Sequence, residues 1–268
     1  MTTKAKVPWI EDDLLALTAM GAGFWAGGKE MAGAPLWLAA ALILAGWVPL
    51  WEALTTTDWA SALASWRRWH TVPPAPRLPY LRRGAPGNRL TGAAAAASAW
   101  WREQGGEQVG AALRQSFLAV LVGLVIAAAT GQGALLLTLL FWAVAEFATL
   151  WHDGKGVDSA FWSALGTVGL PWLLGMSLGP VSGAAAAGAA LAVTLIATAF
   201  FSPHPAALAA LLPGSAYLLW QGHPLLTAWV LLAAYPPLRY AAIPLPHARH
   251  RELAFPWLLL VLLLLAGA

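Results

Sequence analysis

Long unbroken apolar runs alternate with short polar turns along this chain. Nine such runs stand out, Leu14–Gly28, Pro35–Leu54, Gln115–Thr130, Ala134–Trp151, Ser159–Gly179, Ala184–Phe201, Ala206–Trp220, Leu225–Tyr240 and Leu253–Ala268. They lack the period-two alternation of barrel strands and are rich in Ala and Leu, so each predicts a helix. Several are shorter than the roughly 20 residues that cross a hydrocarbon core unaided. The first therefore also fits a re-entrant segment.

Connections on one side are terse: "GKEMAG", "GQG", "GPVSG" and "QGHP". Turns of this length join antiparallel neighbours. One long polar excursion, residues 55–108, interrupts the pattern. Its first part, "TTTDWASALASWRRWH", places Trp59, Ala62, Leu63 and Trp66 at helical spacing behind Asp58 as N-cap. Arg67 and Arg68 stand at its end. Trp beside Arg describes an amphipathic helix lying in the headgroup region, with Trp59, Trp66, Arg67 and Arg68 as its anchors. A stretch with Pro73, Pro74, Pro76, Pro79 and Pro86 should be extended. "LTGAAAAASAWWREQ" then regains helix propensity until Gly105 and Gly106. The excursion has too little apolar content for a core of its own, so residues 1–268 are expected to form one transmembrane domain.

Composition turns these helices into a membrane protein. The chain is 59% hydrophobic and only 10% charged, against about 25% for soluble domains. With the excursion placed in the cytoplasm, fourteen Lys and Arg fall on the inner side, and only Lys29 falls on the outer side. That bias obeys the positive-inside rule for nine crossings, N-terminus cytoplasmic and C-terminus outside. It accounts for the net charge of +3 without a nucleic-acid partner. The expectation is an all-α polytopic bundle of about nine transmembrane helices in the cell membrane, with an amphipathic interfacial helix between helices 2 and 3. Glu11, Asp12 and Asp13 precede the first run, which does not fit a cleavable signal peptide. Most of the 17 tryptophans fall near a membrane surface, as in an aromatic belt.

Chemistry-bearing residues are few. "ATLWHDGKGVDSAFW" carries His152, Asp153, Lys155 and Asp158 between the fourth and fifth runs. Two glycines and an Asp before Ser-Ala-Phe also describe an ordinary aqueous turn ending in an N-cap. Glu146 lies within the fourth run, seven residues before Asp153 and nearly on the same helical face. A carboxylate there should point into the bundle or into a cavity open to the cytoplasm. Glu52, His204 and Arg239 complete a candidate polar cavity with Glu146, His152, Asp153 and Asp158. Arg239 follows Tyr235-Pro236-Pro237, read as a break in the eighth helix, and Pro171 marks a second break. His247 and His250 are spaced i, i+3, but Pro244 and Pro246 argue against the helix such a metal pair needs, so no metal site is expected. Cys is absent, which removes thiolate ligands and thiol nucleophiles. Walker A, GxSxG and HExxH patterns are absent too.

Three classes of function fit this inventory. One is a non-catalytic accessory, assembly or scaffold subunit, with the small residues of "SGAAAAGAALAVTLIA" allowing close helix approach within the bundle or to a partner or second copy. Another is a cytoplasm-facing enzyme acting on a lipid or isoprenoid. Nine spans with this orientation are similar to the UbiA-type intramembrane prenyltransferases, which bind a diphosphate through magnesium with NDxxDxxxD and DxxxD motifs. This chain has Asp153 and Asp158 at DxxxxD spacing, with Glu52 and Asp58, and neither motif as that family writes it. The resemblance would imply magnesium; otherwise no cofactor is expected. The third is a small-solute or cation-coupled transporter using Glu146.

Overall fold

Among the described residues, most of each of the nine apolar runs falls on helix. The structure is a computed structural model describing residues 9–28, 34–69, 86–150, 157–202, 204–241 and 247–267. In chain order, α1 is Trp9–Ala26. Next, α2 (Ala34–Leu42) and α3 (Val48–Thr55) are joined by a π turn, Ile43–Trp47. The excursion contributes α4 (Trp59–Arg68), α5 (Pro86–Trp100), a second π turn, Trp101–Gly105, and α6 (Gly106–Gln108). Then come α7 (Gly110–Thr130), α8 (Gln132–Leu150) and α9 (Val157–Ala164), a third π turn, Leu165–Gly169, and α10 (Leu170–Ser177). The remainder is α11 (Gly183–Phe201), α12 (Pro205–Ala209), α13 (Leu211–Trp220), α14 (Pro224–Ala241) and α15 (His247–Ala266). No strand occurs among the described residues.

Among the described residues, four helical stretches are long and apolar enough to cross a membrane: Pro35–Thr55, Gly110–Thr130, Gln132–Thr149 and Gly183–Phe201. The described part of the protein is thus helical, with four helices of membrane-spanning length and composition. Two of the others fall short for visible reasons. α1, which starts at Trp9, carries Glu11, Asp12 and Asp13 in its first turns, and the run through α12 and α13 is divided at Ala210.

The chain divides into two compact units, Met1–Trp51 with Leu118–Ala268, and Glu52–Phe117. In the larger unit α11 is central, flanked by α9, α10, α13 and α15, while α1 lies against α10 and α15. Its core contains Leu15, Ala19, Val168, Trp172, Ile196, Phe200, Val261 and Leu262. Small residues set the closest crossings. A Cβ on Gly23 would collide with the Trp172 carbonyl, and one on Gly175 with the Met20 carbonyl. Hence α1 and α10 meet backbone to backbone, as small-residue interfaces permit in membranes. The alanines of α11 serve the same purpose inside this unit, with Ala186, Ala190 and Ala197 buried. Two of the terse turns rest on Gly131 and Gly222, whose φ values of 135° and 85° lie where L residues are strained.

A second contact draws α8 to the π turn before α3. Trp47 stacks on Phe141 with ring centroids 4.6 Å apart, and its indole N–H donates to Thr138 Oγ1 at 3.1 Å. Where α15 begins, Asp12 of α1 pairs with Arg251, whose guanidinium also lies 4.7 Å from the Phe201 ring centroid.

Four local expectations need correction. Pro236 and Pro237 do not break the eighth helix, because α14 runs through them to Ala241. Each proline removes one amide donor, a loss that membrane helices tolerate. Pro171 sits in the first turn of α10, directly after a π turn, so the irregularity precedes the proline rather than following it. Gly105 and Gly106 continue helix instead of ending it. The π turn closes with the Gly106 N–H donating to the Trp101 carbonyl, and Gly105 gives the Trp100 ring space that a Cβ would fill. Finally, His247 and His250 do share a helix, since α15 starts after Pro244 and Pro246 rather than including them.

Candidate functional site

The candidate polar residues can be placed one by one. Glu146 lies on the exposed side of α8, not towards the core, and its Oε1 accepts from the Trp142 indole N–H at 3.1 Å. The reason is helical phase. Phe141, Val144, Ala145 and Ala148 form the buried stripe of α8, and Glu146 shares the opposite stripe with Leu136, Leu139, Leu140, Ala143 and Phe147. Arg239 is likewise exposed in the last turn of α14, in line with Leu225, Trp229, Leu232 and Tyr235. His204 is exposed between α11 and α12, with its backbone N–H donating to Ser202 Oγ at 3.2 Å. Glu146, His204 and Arg239 therefore each face outwards from the larger unit rather than converging within it.

Glu52 is half-buried in α3, and its carbonyl accepts from the Thr56 hydroxyl at 2.6 Å. Asp158 lies within the first turn of α9, which starts at Val157. His152 and Asp153 fall outside the described residues. Among those described, no group of three or more His, Asp or Glu is placed to hold a metal ion.

A wide concavity lies in the Glu52–Phe117 unit. Asp58 caps α4 as its sequence position predicts, with Oδ1 accepting from the Ser61 N–H at 2.8 Å and Oδ2 from the Ser61 hydroxyl at 2.6 Å. These bonds favour the ionised form and hold the Asp58 carboxyl below its ordinary range. Behind this cap, α4, α5 and the second π turn bring Trp59, Trp66, Trp100 and Trp101 around a groove of about 740 Å³. Ala62, Ala97, Ser98, Arg102, Val109 and Leu113 complete the lining. The rings hold one another. Trp66 meets Trp100 edge-on at 5.5 Å and stacks against Trp69 at 6.2 Å, and Trp101 lies 6.4 Å from Trp100.

Three of the indole N–H groups here are used inside the unit. Trp59 donates to the Leu54 carbonyl at 2.9 Å, Trp69 to Glu103 Oε2 at 3.0 Å, and Trp100 to Ser65 Oγ at 3.2 Å. An interfacial belt would turn those donors towards headgroups. The sequence places these tryptophans near a surface but does not reveal that two helices fold them into one wall. The doublet Trp100-Trp101 before a π turn is the signal that was available.

A smaller chamber, about 220 Å³, lies in the larger unit between Trp172, Met176 and Val193 on one side and Tyr217, Gln221 and His223 on the other. The Gln221 amide donates to the Tyr217 hydroxyl at 3.0 Å. Of these residues only Gln221 and His223 belong to the terse turn "QGHP"; the others lie in apolar runs. Comparison with known protein families, curated proteins and solved structures finds no match to this chain.

Proposed function

We propose that this protein is a non-catalytic membrane assembly subunit, nine-span with its N-terminus inside, that joins other copies laterally through exposed faces of α8 and α14. The observation that carries this reading is the position of Glu146 on an otherwise apolar exposed stripe. A carboxylate facing hydrocarbon costs about 2.5–3.5 kcal/mol at a helix centre on insertion scales, and less near an end. The Trp142 N–H offsets only part of that. A neighbouring helix that brings a cation to the same depth removes the rest.

Arg239 meets that requirement from a second copy. It stands on an exposed apolar stripe of its own. In the nine-span orientation α8 and α14 both descend towards the cytoplasm. Glu146 lies fourteen residues beyond Gln132 and Arg239 fifteen beyond Pro224, so ~21 Å and ~22 Å down their helices. Joining α8 of one copy to α14 of the next is a heterologous contact, which closes into a ring or continues as a row.

Because the chain has no Cys, introduced cysteines give a direct test. Copies bearing only Phe147→Cys are mixed in lipid bilayers with copies bearing only Tyr235→Cys and oxidised. Disulfide-linked dimers are expected, lost with Glu146→Arg and recovered in Glu146→Arg/Arg239→Glu. A monomer that forms no cross-link, or one indifferent to both charge changes, would sink the reading.

A further inference from the structure

We infer that the tryptophan-walled groove of the Glu52–Phe117 unit is a binding site for one acyl chain of an anionic phospholipid, with Arg102 at its mouth for the phosphate. The groove volume of about 740 Å³ falls within the range of small-molecule sites. Its walls include Trp59, Trp66, Trp100 and Trp101, and Leu113 adds to the lining. Trp59 and Trp100 spend their N–H groups on protein acceptors. The lining therefore offers hydrocarbon contact and almost no hydrogen bonding, which suits an alkyl chain and no polar ligand.

Charge selects the headgroup. Arg102 lines the groove and is exposed, and Arg67 is exposed on α4 next to Trp66. Across Glu52–Phe117 the sequence has eight arginines against four carboxylates, a surplus of four, whereas the whole chain has a surplus of three. The cationic excess of the protein is thus concentrated in the unit that holds the groove. A guanidinium binds phosphate through paired N–H donors, and basic groups beside a bilayer favour anionic over zwitterionic lipids. Apolar walls with a cationic mouth match an anionic phospholipid better than a peptide, which needs backbone partners the walls lack.

The test uses the full chain in bilayers with phosphatidylglycerol bearing a photoactivatable group on one acyl chain, and phosphatidylcholine with the same chain. Adducts mapped by peptide mass spectrometry should concentrate on the groove walls. Phosphatidylglycerol should label them about fivefold more than phosphatidylcholine, the factor expected of one arginine near the surface. Ala97→Trp fills the groove from an exposed position of α5 and should abolish the labelling. Arg102→Gln should keep the adducts but erase the headgroup preference. Labelling of the exposed stripes of α8 and α14 as heavy as that of the groove overturns the assignment. So does equal labelling by both lipids, labelling unchanged by Ala97→Trp, or displacement by a polyprenyl phosphate but not by unlabelled phosphatidylglycerol.

Discussion

The Trp47 indole N–H donates to Thr138 Oγ1 at 3.1 Å across 91 residues of sequence, inside the core of the larger unit. The Thr138 hydroxyl in turn donates a hydrogen bond to the Ala134 carbonyl at 2.8 Å. The hydroxyl thus satisfies a buried donor on one helix while remaining anchored to another. Thr138→Val keeps the shape and removes the acceptor, leaving the indole N–H unsatisfied, a loss of about 1–3 kcal/mol. Thermal unfolding in detergent should show a lower midpoint for Thr138→Val and little change for Thr138→Ser. Equal midpoints for all three proteins would mean the bond contributes nothing.

Gly21 and Gly23, two positions apart in α1, should respond oppositely to alanine. Nothing lies within 4 Å of a Cβ built on Gly21, whereas one on Gly23 meets Trp172 backbone, which cannot swing aside. Gly21→Ala should raise stability by up to ~1 kcal/mol through helix propensity. Gly23→Ala should lower it by about 1–3 kcal/mol through overpacking. The same unfolding measurement decides. If Gly23→Ala were neutral, the close α1–α10 crossing would be wrong.

The cap of α4 should be lost in acid. Asp58 is held below its ordinary value of 3.8 by the two bonds from Ser61. A carboxyl depressed on folding contributes fully above its unfolded pKa and loses that contribution as pH falls through the folded one. Hydrogen exchange at the Ser61 amide, corrected for its intrinsic pH dependence, should stay protected at neutral pH and speed up below about pH 4. Asp58→Ala should be fast throughout. Protection that persists in Asp58→Ala would assign it to the helix alone.

Helix positions were legible in the sequence because the apolar runs are long and the turns short. Asp58 as a cap was legible for the same local reason, since an N-cap bond spans only three residues. Glu146 was not. Burial on the cheaper side of a helix is the usual outcome for a membrane carboxylate, but which side is inner depends on where α9, α10 and the first π turn touch α8. No periodicity marks that face, because Leu136, Leu139 and Leu140 are as apolar as the buried Phe141 and Val144. Exposed leucine and buried leucine look alike when the surrounding solvent is lipid.

The tryptophan groove was hidden by distance. Trp59 and Trp66 stand more than thirty positions before Trp100, and a proline-rich stretch separates them. Composition assigns all of them to a surface; only the fold shows that they face one another.

The turn Leu165–Gly169 has one residue more than α geometry would use, its closing bond running from the Leu170 N–H to the Leu165 carbonyl. That surplus residue offsets the angular phase of everything after it by about 100°. One continuous rod can then answer to two masters, α9 keyed to α11 and α10 keyed to α1, with Trp51 seated against Gly166 and Thr194 against Gly169 in the widened spiral. Shortening the chain there by a single residue would leave hydropathy and charge untouched. It would nonetheless spin Gly175 away from Met20 and unlock the close crossing of α1 and α10.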